Sequence, residues 1–195
     1  MMFTSGRGAI HMEETGSMLS ASGGIYHGFQ IWLNMPAQYK FVDPSTELFH
    51  PDSMGHATTD TYEANVVLGE AFGVKSKVNT LFPVFYYHVR MKAGCKLHVP
   101  VDPTHNAFVY VIRGSVETEG RRMVLANQVA LFERGDDGVE LFSADDAEIL
   151  MLGGRPHNEP VFAYGPFVMN NEDQIRRCYM DYRMGKMGDP MRVNG

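Results

Sequence analysis

The sequence predicts an all-β sandwich or barrel closed by one C-terminal helix. Three observations carry this. Short apolar runs recur about every 8–12 residues, as in sandwiches and barrels. Gly-Asp and Gly-Gly pieces at Gly135-Asp136, Asp137-Gly138 and Gly153-Gly154 punctuate them. No long helical period interrupts the runs, which argues against a βαβ sheet.

Phe82 to Met91 is the strongest strand. Phe85, Tyr87, Val89 and Met91 alternate with Val84, Tyr86, His88 and Arg90, so its two faces differ in character. Ala107 to Arg113 reads as a second strand, ended by Gly114, with Ser115 to Thr118 as a candidate hairpin partner. Met123–Leu125, Val129–Phe132, Val139–Phe142 and Ile149–Leu152 continue the series. Upstream, Gln30 to Met35 reads as a strand stopped by Pro36, and Asn65 to Glu70 as another. Phe41 to Asp60 is rich in turn residues.

The helix starts at Asn171. That residue can cap it, with Gln174 in the capping-box position and Glu172 and Asp173 favouring the positive end of the dipole. Ile175, Cys178, Tyr179 and Tyr182 form one apolar stripe. It is expected to pack on the sheet or on another subunit. Gly185 is the expected stop.

Composition narrows the function classes. With 195 residues, 44% hydrophobic and 21% charged, the chain is expected to build one substantial core, and whole-chain disorder is excluded. The net charge is -6, and the densest basic pairs are Arg121-Arg122 and Arg176-Arg177. That argues against direct nucleic-acid binding, which needs a basic cluster. No apolar run approaches the roughly 18 residues of a membrane span. The N-terminal segment, with Arg7, His11, Glu13 and Glu14, lacks a signal peptide's apolar stretch. Cys95 and Cys178 read as free structural thiols in a reducing compartment. A cytoplasmic or nuclear protein is expected.

Chemistry-bearing residues are few. In an extended strand His11 and Glu13 project to one face, where they could share a divalent metal or form an ordinary polar surface pair. Glu14 points away. His98 and His105 flank a turn at Pro100-Val101-Asp102-Pro103 and could approach across it. His88 lies on a strand face, and nothing fixes His50 against His56. No H-x-H, H-E-x-x-H, phosphate loop or Gly-x-Ser-x-Gly elbow occurs. Kinase, hydrolase and dehydrogenase chemistry therefore have no support.

Four segments carry a family resemblance: TSGRGAIHMEE (Thr4 to Glu14), GFQIWLNMPAQYK (Gly28 to Lys40), HNAFVYVIRGSV (His105 to Val116) and LGGRPHNEPVFAYGPFVMNNEDQIRRCYMDYRMGKMG (Leu152 to Gly188). Together they resemble the pirin family of bicupins. The resemblance implies two stacked cupin jelly-roll β-barrels. On that basis residues 1–40 are expected to belong to the N-terminal cupin and 41–80 to a linker with the first strands of the next domain. Residues 81–195 are expected to form the C-terminal cupin with its helix.

In the family the N-terminal cupin holds one iron, Fe(II) or Fe(III), through three histidines and a glutamate. The first two histidines come from an upstream H-x-H. By motif, His11 resembles the third histidine and Glu13 the glutamate, which would tune the iron or accept a proton in catalysis. Because the sequence contains no H-x-H, it is expected to start inside the N-terminal cupin. It is expected to hold iron weakly or not at all and to be inactive alone. Exposed strand edges are expected to favour self-association.

The segment Gly94 to Gly114 holds single histidines, His98 and His105, and no glutamate. It resembles the family's metal-free second cupin, which braces the active half or presents a protein-binding face. After Lys40, the stretch FVDPSTELFHPDSM departs from the family's Pro-x-Tyr-Gln, where partner specificity is expected to differ. The resemblance implies a quercetin 2,3-dioxygenase acting on a flavonol-type substrate. The alternatives are an iron-dependent, redox-sensing transcription cofactor that binds transcription-factor proteins, and a truncated, non-catalytic cupin fragment.

Overall fold

The computed structural model describes residues 1–14 and 21–194, with the side chains of 13–14 and 191–194 outside the description. In chain order the strands are β1 (Met2–Thr4), β2 (His11–Glu14), β3 (Ser45–Glu47), β4 (Gly55–Thr58), β5 (Tyr62–Leu68), β6 (Glu70–Ala71) and β7 (Val74–Lys75). Then come β8 (Val84–Met91), β9 (Cys95–Pro100), β10 (Asn106–Arg113), β11 (Ser115–Thr118), β12 (Arg122–Leu125) and β13 (Val129–Phe132). The last are β14 (Gly138–Ser143), β15 (Ala147–Gly154), β16 (Phe162–Tyr164), β17 (Phe167–Met169), helix α1 (Glu172–Arg183) and β18 (Met191–Asn194).

The chain forms two compact units, one of Phe49–Pro156 and one of Met1–Leu48 with His157–Gly195. The first is a β-sandwich. A six-stranded sheet runs in the order β13-β10-β15-β8-β5-β4, and a four-stranded sheet in the order β12-β11-β14-β9. All pairings in both sheets are antiparallel.

Period-two alternation builds its core. Phe85, Tyr87, Val89 and Met91 of β8 turn inward, and Tyr86, His88 and Arg90 turn outward. Val109, Val111, Ile149 and Met151 from one sheet meet Leu97, Val99, Val116 and Leu141 from the other. Each of these eight is 2% exposed or less. Fully burying one such side chain contributes about 1.5–3 kcal/mol, so this layer holds the sandwich together.

Gly114 joins β10 to β11. Its φ is +75°, and a Cβ there would run into the Asp146 carbonyl oxygen. The joint carries the chain from one sheet to the other. β11 therefore pairs with β12 and β14 and not back onto β10, as the hairpin reading had it. Cys95 opens β9 with 0% exposure. The turn-rich stretch 41–60 contains β3 and β4, and β4 is the outer strand of the six-stranded sheet.

In the second unit, α1 follows its sequence signals. The Asn171 side chain accepts from the Gln174 N–H at 3.0 Å. Gln174 Oε1 reaches back one residue further than in a capping box, accepting from the Asn170 N–H at 2.9 Å. Ile175 and Cys178 are buried with Met169 and Met187, and Ile10, Phe167 and Tyr179 pack around them. Tyr182, the last member of the stripe, is exposed. The helix rests on the β16–β17 hairpin and on the chain around Ile10. β1 pairs antiparallel with β3, and β18 pairs parallel with β2. Gln30 to Met35 is not a strand. Its Asn34 works through hydrogen bonds, described next.

Candidate functional site

β2 carries the His-x-Glu pair. His11 and Glu13 sit at alternate positions of this strand, opposite Met191 and Val193 of β18. The His11 imidazole is exposed and lies 4.2 Å, centroid to centroid, from the Phe3 ring. The Glu13 and Glu14 side chains fall outside the described residues. Among the described residues no group of three or more His, Cys, Asp or Glu side chains could hold a metal ion. A mononuclear non-haem iron centre takes at least three protein donors. The described side chains do not assemble such a set.

The other histidines have separate partners. His98 Nδ1 lies 2.6 Å from Glu140 Oε1, its cross-strand neighbour on β14. His105 lies beside Phe85, ring centroids 6.4 Å apart. They do not form a common pocket. His88 Nε2 lies 2.7 Å from Glu148 Oε1, and its Nδ1 is 3.4 Å from the Asn65 amide. Glu148 also accepts from Arg90 Nε at 3.3 Å and Arg113 Nη2 at 2.7 Å. Burial pushes the Glu148 carboxyl up, but the hydrogen bonds from His88 and Arg113 outweigh it and hold it below its usual range.

The inside of the sandwich is apolar. Its core cluster is Val, Leu, Ile, Met, Phe and Ala, with Cys95 and Tyr87. The Tyr87 hydroxyl donates to the Glu70 carbonyl oxygen at 3.1 Å. Burial, then the Glu70 charge, push the phenol up to about 12. Burial also raises the thiols of Cys95 and Cys178, which favours the unreactive protonated form.

Sequence reasoning missed one polar cluster in the second unit. Lys40 is 4% exposed. Its Nζ donates to Asn34 Oδ1 at 2.7 Å and to the Val168 carbonyl at 3.0 Å. Burial pulls this ammonium below its usual range, and Glu159 partly opposes that. Glu159 Oε2 accepts from the Ala37 N–H at 2.7 Å and from Asn170 Nδ2 at 3.3 Å. His157 Nε2 donates to the Asn34 carbonyl at 2.8 Å. The cluster ties the segment 28–40 to the segment 152–188, two stretches distant in sequence. The available signal was their joint resemblance to one family.

Comparison with known proteins agrees with that resemblance. The family model of the pirin C-terminal cupin domain matches residues 86–188. The chain is 34% identical over 190 residues to a pirin-like protein of Solanum lycopersicum, covering 95% of this chain and 63% of that protein. It is 31% identical over 189 residues to pirin of Homo sapiens, again covering 95% and 63%. The chain thus spans less than two thirds of the length of these relatives. Among solved structures, a quercetin 2,3-dioxygenase from Acinetobacter baumannii superposes with a TM-score of 0.78 at 26% identity. That match covers 82% of this chain and 56% of the other. The all-β cupin architecture, the matched C-terminal domain and the similarity along nearly the whole chain lead to one conclusion: this chain belongs to the pirin family.

Proposed function

We propose that the chain serves a pirin-type, flavonol-directed dioxygenase as its non-catalytic cupin module. In this reading it also contributes His11 and Glu13 to an iron centre that its own residues do not complete. The observation that carries the reading is the division of polar groups. The sandwich of residues 49–156 has an apolar interior, whose one thiol, Cys95, is kept protonated by burial, so it presents no set of donors to a reacting metal. The pair with ligand spacing lies on β2, outside it. The likeness to a quercetin 2,3-dioxygenase supports the substrate class. In the same reading, residues 1–40 belong to the metal-binding cupin and 81–195 to the bracing one.

No step of oxygen chemistry is assigned to this chain alone. Its contribution is to hold the β2 strand and to supply two donors from it. Complementation in trans tests this. A separately expressed cupin segment of the family, bearing the H-x-H, is mixed with the chain and iron is measured in the purified complex. The expected result is close to one iron per complex, lost in His11→Ala and in Glu13→Gln. Iron retained in both variants, or no iron in the complex, would overturn the ligand assignment.

A further inference from the structure

β12 and β13 end the two sheets of the sandwich. They are two arms of one bent ribbon, residues 122–132. The bend lies at Leu125–Gln128. The Gln128 N–H donates to the Leu125 carbonyl at 3.0 Å, and the Leu125 N–H donates to Gln128 Oε1 at 2.9 Å. Asn127 has φ +65°, and its N–H donates to the Val111 carbonyl at 2.7 Å. This is a bulge of the G1 kind, with Asn in the position glycine commonly takes. One side of the ribbon pairs with β11 and β10. The other side pairs with no strand of the described residues.

That free side is unguarded. Edge strands usually carry lysine, proline or inward charges that block pairing. Here Met123, Leu125, Val129 and Leu131 point outward and are 53%, 51%, 53% and 80% exposed. A groove of about 830 Å³ runs along the same edge. All four are odd-numbered, so the bend does not move the apolar stripe to the other face.

We propose that this edge pairs antiparallel with the same edge of a second copy, about a two-fold axis at Asn127. Alternation directs the backbone groups of Met123 and Leu131 to the free side. In this register Met123 lies opposite the partner's Leu131, and Leu125 opposite the partner's Val129. Arg121 and Glu133 lie one residue beyond the paired arms, so Arg121 of each copy comes beside the partner's Glu133. Each contact occurs twice by symmetry. A one-residue slip turns the apolar stripe against the core face. A two-residue slip in either direction leaves two of the four apolar residues of each copy without an apolar partner and separates Arg121 from the partner's Glu133. Charge and side-chain facing therefore select the same register. At the bend the Leu125 backbone is already bonded to Gln128, so contact there is through side chains.

Sedimentation equilibrium of the full 195-residue chain tests this. The expected species is a reversible dimer. Arg121→Asp and Glu133→Lys should each weaken it about tenfold or more, because two attractive pairs become two repulsive ones. Aspartate tolerates the left-handed backbone of position 121, whose φ is +58°. The double variant should restore wild-type affinity, and Leu131→Lys should give a monomer. Hydrogen exchange of the Met123 and Leu131 amides should slow as concentration rises. A monomer at every concentration, or a dimer indifferent to the single charge reversals, would overturn the proposal. The result is independent of iron or dioxygenase activity.

Discussion

Glu148 shows how one carboxylate can organise a sheet surface. It is 14% exposed at its side chain and takes hydrogen bonds from His88, Arg90 and Arg113 on the two neighbouring strands. Its pKa is depressed in the folded chain. Its stabilising contribution is therefore present above the unfolded value, about 4.3. The contribution is lost as pH falls through the folded value. Denaturant titrations across acid pH should show a steeper loss of stability for the wild type than for Glu148→Gln, with the variant already weaker at neutral pH. Lys40 is the corresponding residue of the second unit. Lys40→Met keeps the aliphatic stem but strands Asn34 Oδ1 and the Val168 carbonyl. The expected cost is about 1–3 kcal/mol, read as a lower midpoint in the signal from α1. Neither residue stood out in the sequence. A lysine or glutamate reads as surface until the fold shows what lies beside it. His11 drew attention only through the family resemblance of Thr4 to Glu14, because His-x-Glu spacing alone fits an ordinary surface pair equally well.

At the scale of elements, legibility followed periodicity. β8 and β10 alternate cleanly, and α1 carries both a cap and a 3.6-residue stripe, so local signals and tertiary packing agree. Asn171→Ala should destabilise the chain by about 1 kcal/mol, because the Gln174 N–H loses its acceptor. Thermal melting followed by helix ellipticity checks it, and Asn171→Ser should recover most of the loss. Gln30 to Met35 misled because it is a short apolar run stopped by Pro36. Ile31, Trp32 and Leu33 are all exposed, and the segment is held by Asn34 and Lys40 through polar bonds. Strand pairing was also hidden. A positive φ at Gly114 and the bulge at Asn127 redirect β11 and β13 between sheets, and period-two patterns do not report such corners.

At the scale of the molecule, the sandwich core is apolar apart from Cys95 and Tyr87. No group of three metal-binding side chains occurs among the described residues. The pirin and cupin character could be read from four segments spread along the chain. The sequence contains no H-x-H motif, and that absence is the reason an incomplete donor set is expected. What the sequence did not reveal is the unguarded edge of β12 and β13, since exposure depends on which strands end each sheet. The proposed function requires that these 195 residues do not hold iron by themselves. The most direct measurement is the iron content of the purified chain after anaerobic loading with Fe(II) and desalting. The expected result is iron far below one per chain, unchanged by His11→Ala. One tightly retained iron per chain, lost in that variant, would contradict it.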